Sequence, residues 1–330
     1  MLKQTVVAVM VTFAGLGAAA GAGAQSWHEA HLDAQKPRPN QPLPPLDAHP
    51  VVAITVDDLP AVGTLPPGED RVAVAKALVS ELKANGLEGT YGFVNTDKLE
   101  SRPGAPQALQ IWLDAGMNIG NHTRTHMRLT TNTAEAFEQD IAQNEPTLRQ
   151  YGEVRDWRWF RYPYLEEGET LEKRRAVRAY LLEHGYRVAQ VTLEFEDYAW
   201  NDAYCRCRIK QNEAAIAWLR QSYLDTAAAY IKLGREEEQI VFGREIPNVM
   251  LLHETPFTTL MLPDLLDMLR KQGFSFESLA QVESDPAYVE DPDAGSESGG
   301  TLPGQFMDSR HLPYPRANPD PFQQINQLCQ

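Results

Sequence analysis

Residues 51–60 read VVAITVDDLP. Val51 to Val56 is an unbroken apolar and β-branched run, the pattern of a strand buried on both faces, as in a parallel sheet. It ends in two adjacent carboxylates, Asp57 and Asp58, followed by the turn-making pair Leu59-Pro60. Neighbouring like charges repel, and burying either one is costly unless it is paired. Two aspartates at the tip of a core strand therefore call for partners elsewhere in the chain.

Working outward, further short apolar runs alternate with helical patterns. Strands are expected at 51–56, 90–94, 117–120, 157–160, 187–191 and 248–252, with a short late one at 274–276. Helices are expected near 70–85, 105–115, 133–150, 171–184, 212–232 and 260–272. Such βα alternation implies a parallel sheet or barrel. In those folds functional side chains gather at the carboxyl ends of the strands, where Asp57 and Asp58 lie.

The chain has 330 residues, 43% hydrophobic and 23% charged, enough for one large α/β domain or two smaller ones. Its formal net charge of −15, without a basic cluster, argues against nucleic acid or anionic lipid as partner. Residues 1–24 carry a lysine, an apolar stretch and a small-x-small site, and read as a signal peptide. Export to the periplasm or outside the cell is the expectation, with no stable membrane span after processing. Residues 25–50 read as a Pro-rich linker and 51–282 as a single catalytic domain. Residues 283–330 read as an irregular acidic extension, wrapping the domain or partly disordered. Of the three cysteines, Cys205 and Cys207 stand too close for an easy mutual bridge. One of them can pair with Cys329 in an oxidising compartment.

Other expected strand ends also carry polar groups. GNHTRTHMRL places His122 and His126 four residues apart. On one helical turn such a pair faces the same way and can grip a metal ion from one side. FRYPYLEEG supplies Arg161, which can pair with a carboxylate. EFEDYAWND is an acidic and aromatic loop, and NVMLL ends in His253. Two His and one carboxylate make an open metal site, and a spare Asp and His supply a base and an acid. The chemistry implied is metal-assisted hydrolysis.

These residues resemble the polysaccharide deacetylase family, the NodB homology domain of carbohydrate esterase family 4. TVDD resembles its first motif, HTRTH its second, RYPY its third and LLH its fifth, in that order, over about residues 51–282. The resemblance implies an α/β fold, a distorted (β/α)7-type barrel. It implies Asp57 as general base and Asp58, His122 and His126 as ligands of one divalent ion, most often Zn2+. Arg161 would orient Asp57 and keep it ionised, and the Tyr164 amide would serve the oxyanion hole. Trp200 or Tyr198 would line the acetyl pocket, and Leu251 would pack beside the acetyl methyl. His253 would protonate the leaving amine, with Asp197 or Glu194 as its acidic partner. Val56 stands where the family usually has Phe, and EFEDYAW departs from its fourth motif. The long segment 201–238 either shapes the groove or packs as an outer helix.

The implied activity is removal of N-acetyl groups from an acetylated amino sugar in a polysaccharide: peptidoglycan, a chitin-like chain or an exopolysaccharide. A deacylase of another target, an O-acetyl ester or a cyclic imide or amide, is the alternative. A non-catalytic carbohydrate-binding relative would have no use for both base and acid. The polymer, the metal in vivo and the oligomeric state are not readable from the sequence.

Overall fold

The computed structural model describes residues 43–60, 62–151, 156–315 and 320–330. The expected leader 1–24 and the linker as far as residue 42 lie outside the described residues, which fall within one compact unit, Pro42–Gln330. No helix among the described residues is long and apolar enough to cross a membrane.

The elements in chain order are β1 (Val51–Leu59), α1 (Arg71–Ala84), β2 (Tyr91–Val94), α2 (Asp97–Ser101), α3 (Ala105–Asp114) and β3 (Asn118–Asn121). Next come α4 (Ala134–Tyr151), β4 (Trp159–Phe160), α5 (Leu171–Glu183), β5 (Arg187–Val188), α6 (Trp200–Ile209) and α7 (Glu213–Phe242). The chain ends with β6 (Asn248–His253), α8 (Pro256–Lys271), β7 (Ser275–Phe276), α9 (Leu279–Val282), α10 (Leu302–Ser309) and α11 (Phe322–Gln327).

All strand pairs are parallel, in the order β5-β4-β3-β2-β1-β6, with β7 on the first residues of β1. The chain beyond β5 turns this sheet into a barrel. Thr192 and Leu193 both donate N–H to the Val249 carbonyl of β6 (3.0 Å each), and Leu251 N–H donates to Leu193 O (3.0 Å). Leu193 and Met250 form a parallel bridge, so the two ends of the sheet meet, irregularly. The expected distorted (β/α)7-type barrel is the fold observed, although β4, β5 and β7 hold only two residues each.

The apolar run of β1 is buried on both faces because each face has its own partners. Val52, Ile54 and Val56 join the large core beneath the surrounding helices, with Leu78, Leu109, Trp112 and Leu262. Ala53 belongs to a second, smaller core with Phe93, Trp159, Ala189 and Val249, which fills the barrel interior and is floored by Leu279 and Val282 of α9. The period of two along a strand thus separates barrel-inward from helix-facing residues.

The segment 201–238 resolves into α6 and the 30-residue α7. The long helix packs outside against α6, α8 and α10, while the first turn of α6 reaches the cleft through Asn201 and Asp202. Cys207 is bonded to Cys329, tying α6 to the end of the chain, and Cys205 stays as a buried thiol donating to Thr64 O (3.3 Å). Among the described residues of the extension after 283, α10 packs on α7, and Leu302 N–H donates to Val191 O (2.7 Å).

Candidate active site

The site is the polar layer immediately above the apolar filling of the barrel. Two residues past an inward-facing position of each of four strands stands a polar group. On β2 Phe93 leads to Asn95, and beyond β3 Gly120 leads to His122. Past β4 Trp159 leads to Arg161, and on β6 Leu251 leads to His253. On β1 the series Ala53, Thr55, Asp57 climbs the same way, and Asp57 lies in register with His253.

Strand alternation would send Asp58 to the opposite face. The backbone prevents this. The β1–β2 register shifts between Val56 and Leu59, and Asp58 adopts a left-handed conformation (φ 69°). Such an irregularity re-aims a side chain, and strained positive φ collects at functional sites. Both aspartates consequently line one cleft of about 760 Å3. Thr123, His126 and Tyr164 around it also carry positive φ (58° each).

Asp57 is buried (2% exposed) and held by Arg161, whose Nη1 lies 3.2 and 3.3 Å from its two oxygens. Arg161 is itself fixed by donating Nε–H to Ala189 O (2.7 Å) and Nη2–H to Thr55 Oγ1 (3.1 Å). Arg161 was expected to orient Asp57 and keep it ionised. Instead burial outweighs the pull of Arg161 and His253 and pushes the Asp57 carboxyl up to about 6. Asp57 thereby remains ionised at neutral pH yet is a stronger base than an ordinary carboxylate.

Asp58, His122 and His126 bring one donor atom each to within 4.8 Å of one another. The expected helical turn is absent. His122 follows β3 directly, and a left-handed turn at Thr123 and again at His126 folds the two rings against each other, centroids 4.9 Å apart. Asp140 of α4 pins this loop, its Oδ2 accepting both the N–H and the hydroxyl of Thr125 (3.0 Å each). Asn95 Nδ2 donates to the carbonyls of His122 (2.5 Å) and Thr123 (3.1 Å).

The donor set fits a divalent ion. His122 Nδ1 lies 2.7 Å from Arg161 O, so Nδ1 carries the proton and Nε2 is left as the donor. Burial holds both imidazoles below their usual range, His122 far below it, so both stay neutral as ligands must. Two imidazoles and one carboxylate leave coordination positions for water and substrate.

Lys98 is a neighbour that sequence reasoning missed. Its ammonium, almost fully buried, donates to both the carbonyl and Oδ1 of Asp58 (2.8 Å each). Burial alone would raise the Asp58 carboxyl; Lys98 and the histidines hold it far below the usual range. A lone lysine in a short helix carries no signal of such a contact in the sequence.

Facing these groups, Asp197 resolves the choice of partner for His253. Its Oδ1 lies 2.7 Å from His253 Nδ1, and its Oδ2 accepts the His253 N–H (2.9 Å) and the Thr258 hydroxyl (2.7 Å). Glu194 accepts the Glu196 N–H (2.9 Å) instead. Burial pulls the His253 imidazolium down, but the charge and hydrogen bond of Asp197 more than reverse this and raise it to about 9. Tyr198 stacks edge-on against the His253 ring (4.9 Å) and stays half exposed in the cleft, with Leu251 beside it.

Trp200 does not line the cleft. It is fully buried, its Nε1–H donates to Ser222 Oγ (2.8 Å), and it packs on Phe195, Tyr223 and Phe322. Placed at the start of α6, it faces α7 and the core, which leaves Tyr198 as the aromatic wall. Tyr164 lies across the cleft, its ring edge-on to His126 (4.4 Å) and under the Arg128 guanidinium (3.7 Å), which pairs with Glu166.

Residues 47–189 match the family model described as polysaccharide deacetylase. No curated protein matches the chain. Among solved structures, a chitin deacetylase from the fungal pathogen Colletotrichum lindemuthianum is 19% identical, covering 73% of this chain and 92% of its own, with a TM-score of 0.48. A family 4 carbohydrate esterase from Streptomyces lividans, in complex with acetate, is 18% identical (71% and 95% covered, TM-score 0.44). A CE4 family pseudoenzyme from Bacillus anthracis is 15% identical (71% and 65% covered, TM-score 0.47). The matched segment holds Asp57, Asp58, His122, His126 and Arg161, whereas Asp197 and His253 lie beyond it. The match to the polysaccharide deacetylase family model thus covers residues 47–189, fewer than half of the chain.

Proposed function

We propose that the protein is an exported, metal-dependent hydrolase that removes N-acetyl groups from an acetylated amino sugar within a polysaccharide. The observation that carries this is the pairing of unlike environments around one cleft. Asp57 is a buried carboxylate raised to about 6, His253 an imidazolium raised to about 9, and the Asp58-His122-His126 cluster lines the same cleft. Groups pushed apart in this way are the mark of acid and base assignments.

A divalent ion, zinc by expectation, would be held by Asp58, His122 and His126 and would supply Lewis acidity toward a carbonyl and a water. Asp57 takes the proton of the attacking water, and Arg161 fixes its orientation. The Tyr164 turn offers its amide to the oxygen on which negative charge develops. His253 protonates the departing nitrogen from Nε2 while Nδ1–H stays on Asp197, so that the C–N bond breaks to free amine and acetate. Tyr198 and Leu251 enclose the acetyl methyl. The Cys207–Cys329 bond favours an oxidising compartment, in keeping with the leader-like residues 1–24.

The test is acetate release from chitopentaose and from peptidoglycan by metal-stripped protein, before and after zinc is restored, beside Asp57→Asn. Zinc-dependent release that the variant loses supports the reading. Zinc binding at one equivalent with no acetate from either polymer refutes it, and acetyl esters and cyclic imides are then assayed.

A further inference from the structure

The C-terminal extension enters the catalytic cleft. Glu297, Ser298, Gly299 and Gly300 line it together with Tyr164 and Leu165. This strap is anchored at both ends. Ser296 N–H donates to Gly168 O (2.9 Å), and Leu302 N–H donates to Val191 O (2.7 Å). Upstream, Asp291 is held by Arg174 (2.8 Å) and Arg178 (2.8 Å); downstream, Gln305 Nε2 bridges Gly300 O (3.0 Å) and Glu167 Oε1 (2.9 Å).

Between the anchors the strap lies backbone-to-backbone on the Tyr164 turn. A Cβ on Gly299 would stand 1.7 Å from the Tyr164 carbonyl oxygen and 3.0 Å from the Leu165 carbonyl carbon. Only glycine permits that approach. The side chains of Glu297 and Ser298 are exposed, and neither donates to or accepts from another described side chain. The segment is thus rigidly placed yet leaves polar groups open to the cleft, the condition for holding a ligand at low ordering cost. At about 760 Å3 the cleft matches pockets that enclose ligands larger than one acetylated sugar ring.

We propose that the strap Gly295–Thr301 walls a subsite for the sugar unit next to the one being deacetylated. Glu297, the Ser298 hydroxyl and the exposed Gly299 backbone exchange hydrogen bonds with its hydroxyl and amide groups. This inference rests on the deacetylase reading above and adds a specificity element outside residues 47–189, the part matched by the family model.

The experiment measures kcat/KM for acetate release from a disaccharide and from a longer chain. The probes are β-1,4-linked N-acetylglucosamine of two and five units, and peptidoglycan glycan of two and about ten units. Wild type, Glu297→Ala and Ser298→Trp are compared. The wild type is expected to favour the longer chain. Ser298→Trp, which fills the wall at an exposed position, is expected to lower the long-to-short ratio about ten-fold, the equivalent of one or two lost hydrogen bonds. Glu297→Ala is expected to lower it about three-fold. Acetate release with the same ratio in all three proteins overturns the strap proposal and leaves the deacetylase reading standing. No acetate from either series overturns that reading, and the strap proposal with it.

Discussion

Replacing Asp197 by Asn tests the acid half of the site. In the wild type burial lowers the partly exposed His253 imidazolium, but the charge and hydrogen bond of Asp197, with the charges of Asp58 and Asp57, raise it from 6.5 to about 9. Asparagine keeps the shape but only one acceptor oxygen: with that oxygen on the His253 N–H and the Thr258 hydroxyl, its NH2 faces His253 Nδ1 and disfavours the proton held there. The charge is lost, and with only Asp58 and Asp57 left to oppose burial the imidazolium falls toward its ordinary 6.5. At pH 8 a group of pKa about 9 is roughly 90% protonated, and one at 6.5 roughly 3%, a difference of about 30-fold in competent acid. At pH 6 both are mostly protonated and the two enzymes nearly agree. The assay is kcat/KM for acetate release between pH 5.5 and 9.5, with thermal melts of both proteins as control. The basic limb is expected to move down, by up to about two units. A variant whose profile merely parallels the wild type, lower at every pH, would refute His253 as the acid tuned by Asp197. Stability follows the same group. Its folded pKa is raised, so it contributes about 3 kcal/mol, fully present below pH 6.5 and lost as pH rises through about 9.

Three further outcomes are expected. Arg161→Met strands the buried Asp57 and costs about 3 kcal/mol of stability by urea denaturation; a loss under 1 kcal/mol would mean that Asp57 does not depend on that partner. Lys98→Met removes the cation on Asp58 Oδ1 and should tighten zinc binding about ten-fold by calorimetry, since like charges near an ion oppose it; weaker binding would instead make Lys98 the group that orients Asp58. Cys207→Ser opens a bridge spanning 122 residues and should cost about 5 kcal/mol at neutral pH; identical melts of wild type and variant would contradict the bridge.

Much of the barrel is legible because strands buried on both faces must be apolar throughout: 51–56 and 248–252 stand out on that ground alone. The two-residue strands β4 and β5 are less so, since so short an element has no periodicity. His122 and His126 are legible by spacing, although the reason is a doubly left-handed turn rather than a helix. The Asp197-or-Glu194 choice was not readable, because both carboxylates sit in one loop and only the turn at Glu196 (φ 56°) decides which meets His253. Trp200 was misplaced because residue type cannot tell a core indole from a cleft wall. The contact of Lys98 and the entry of the strap into the cleft were not legible. Each acts through a contact across many residues, 40 between Lys98 and Asp58, and composition carries no trace of it.

The two adjacent aspartates show why such a site needs a defect in its strand. A regular β1 would place Asp57 in the barrel and Asp58 among the apolar helices, where a carboxylate without partners is prohibitive. The register shift and the positive φ at Asp58 bring both into the cleft, at a backbone cost of order 1–3 kcal/mol. Each then meets a cation of its own, Arg161 for Asp57 and Lys98 for Asp58, in unequal measure. Asp57 is left above the ordinary carboxylate range and Asp58 far below it. One carboxylate is thereby suited to take a proton, and its neighbour to stay ionised as a ligand. Restoring regular alternation would abolish that division even with every side chain unchanged, so the local backbone, as much as the residue pair, is what the chemistry depends on.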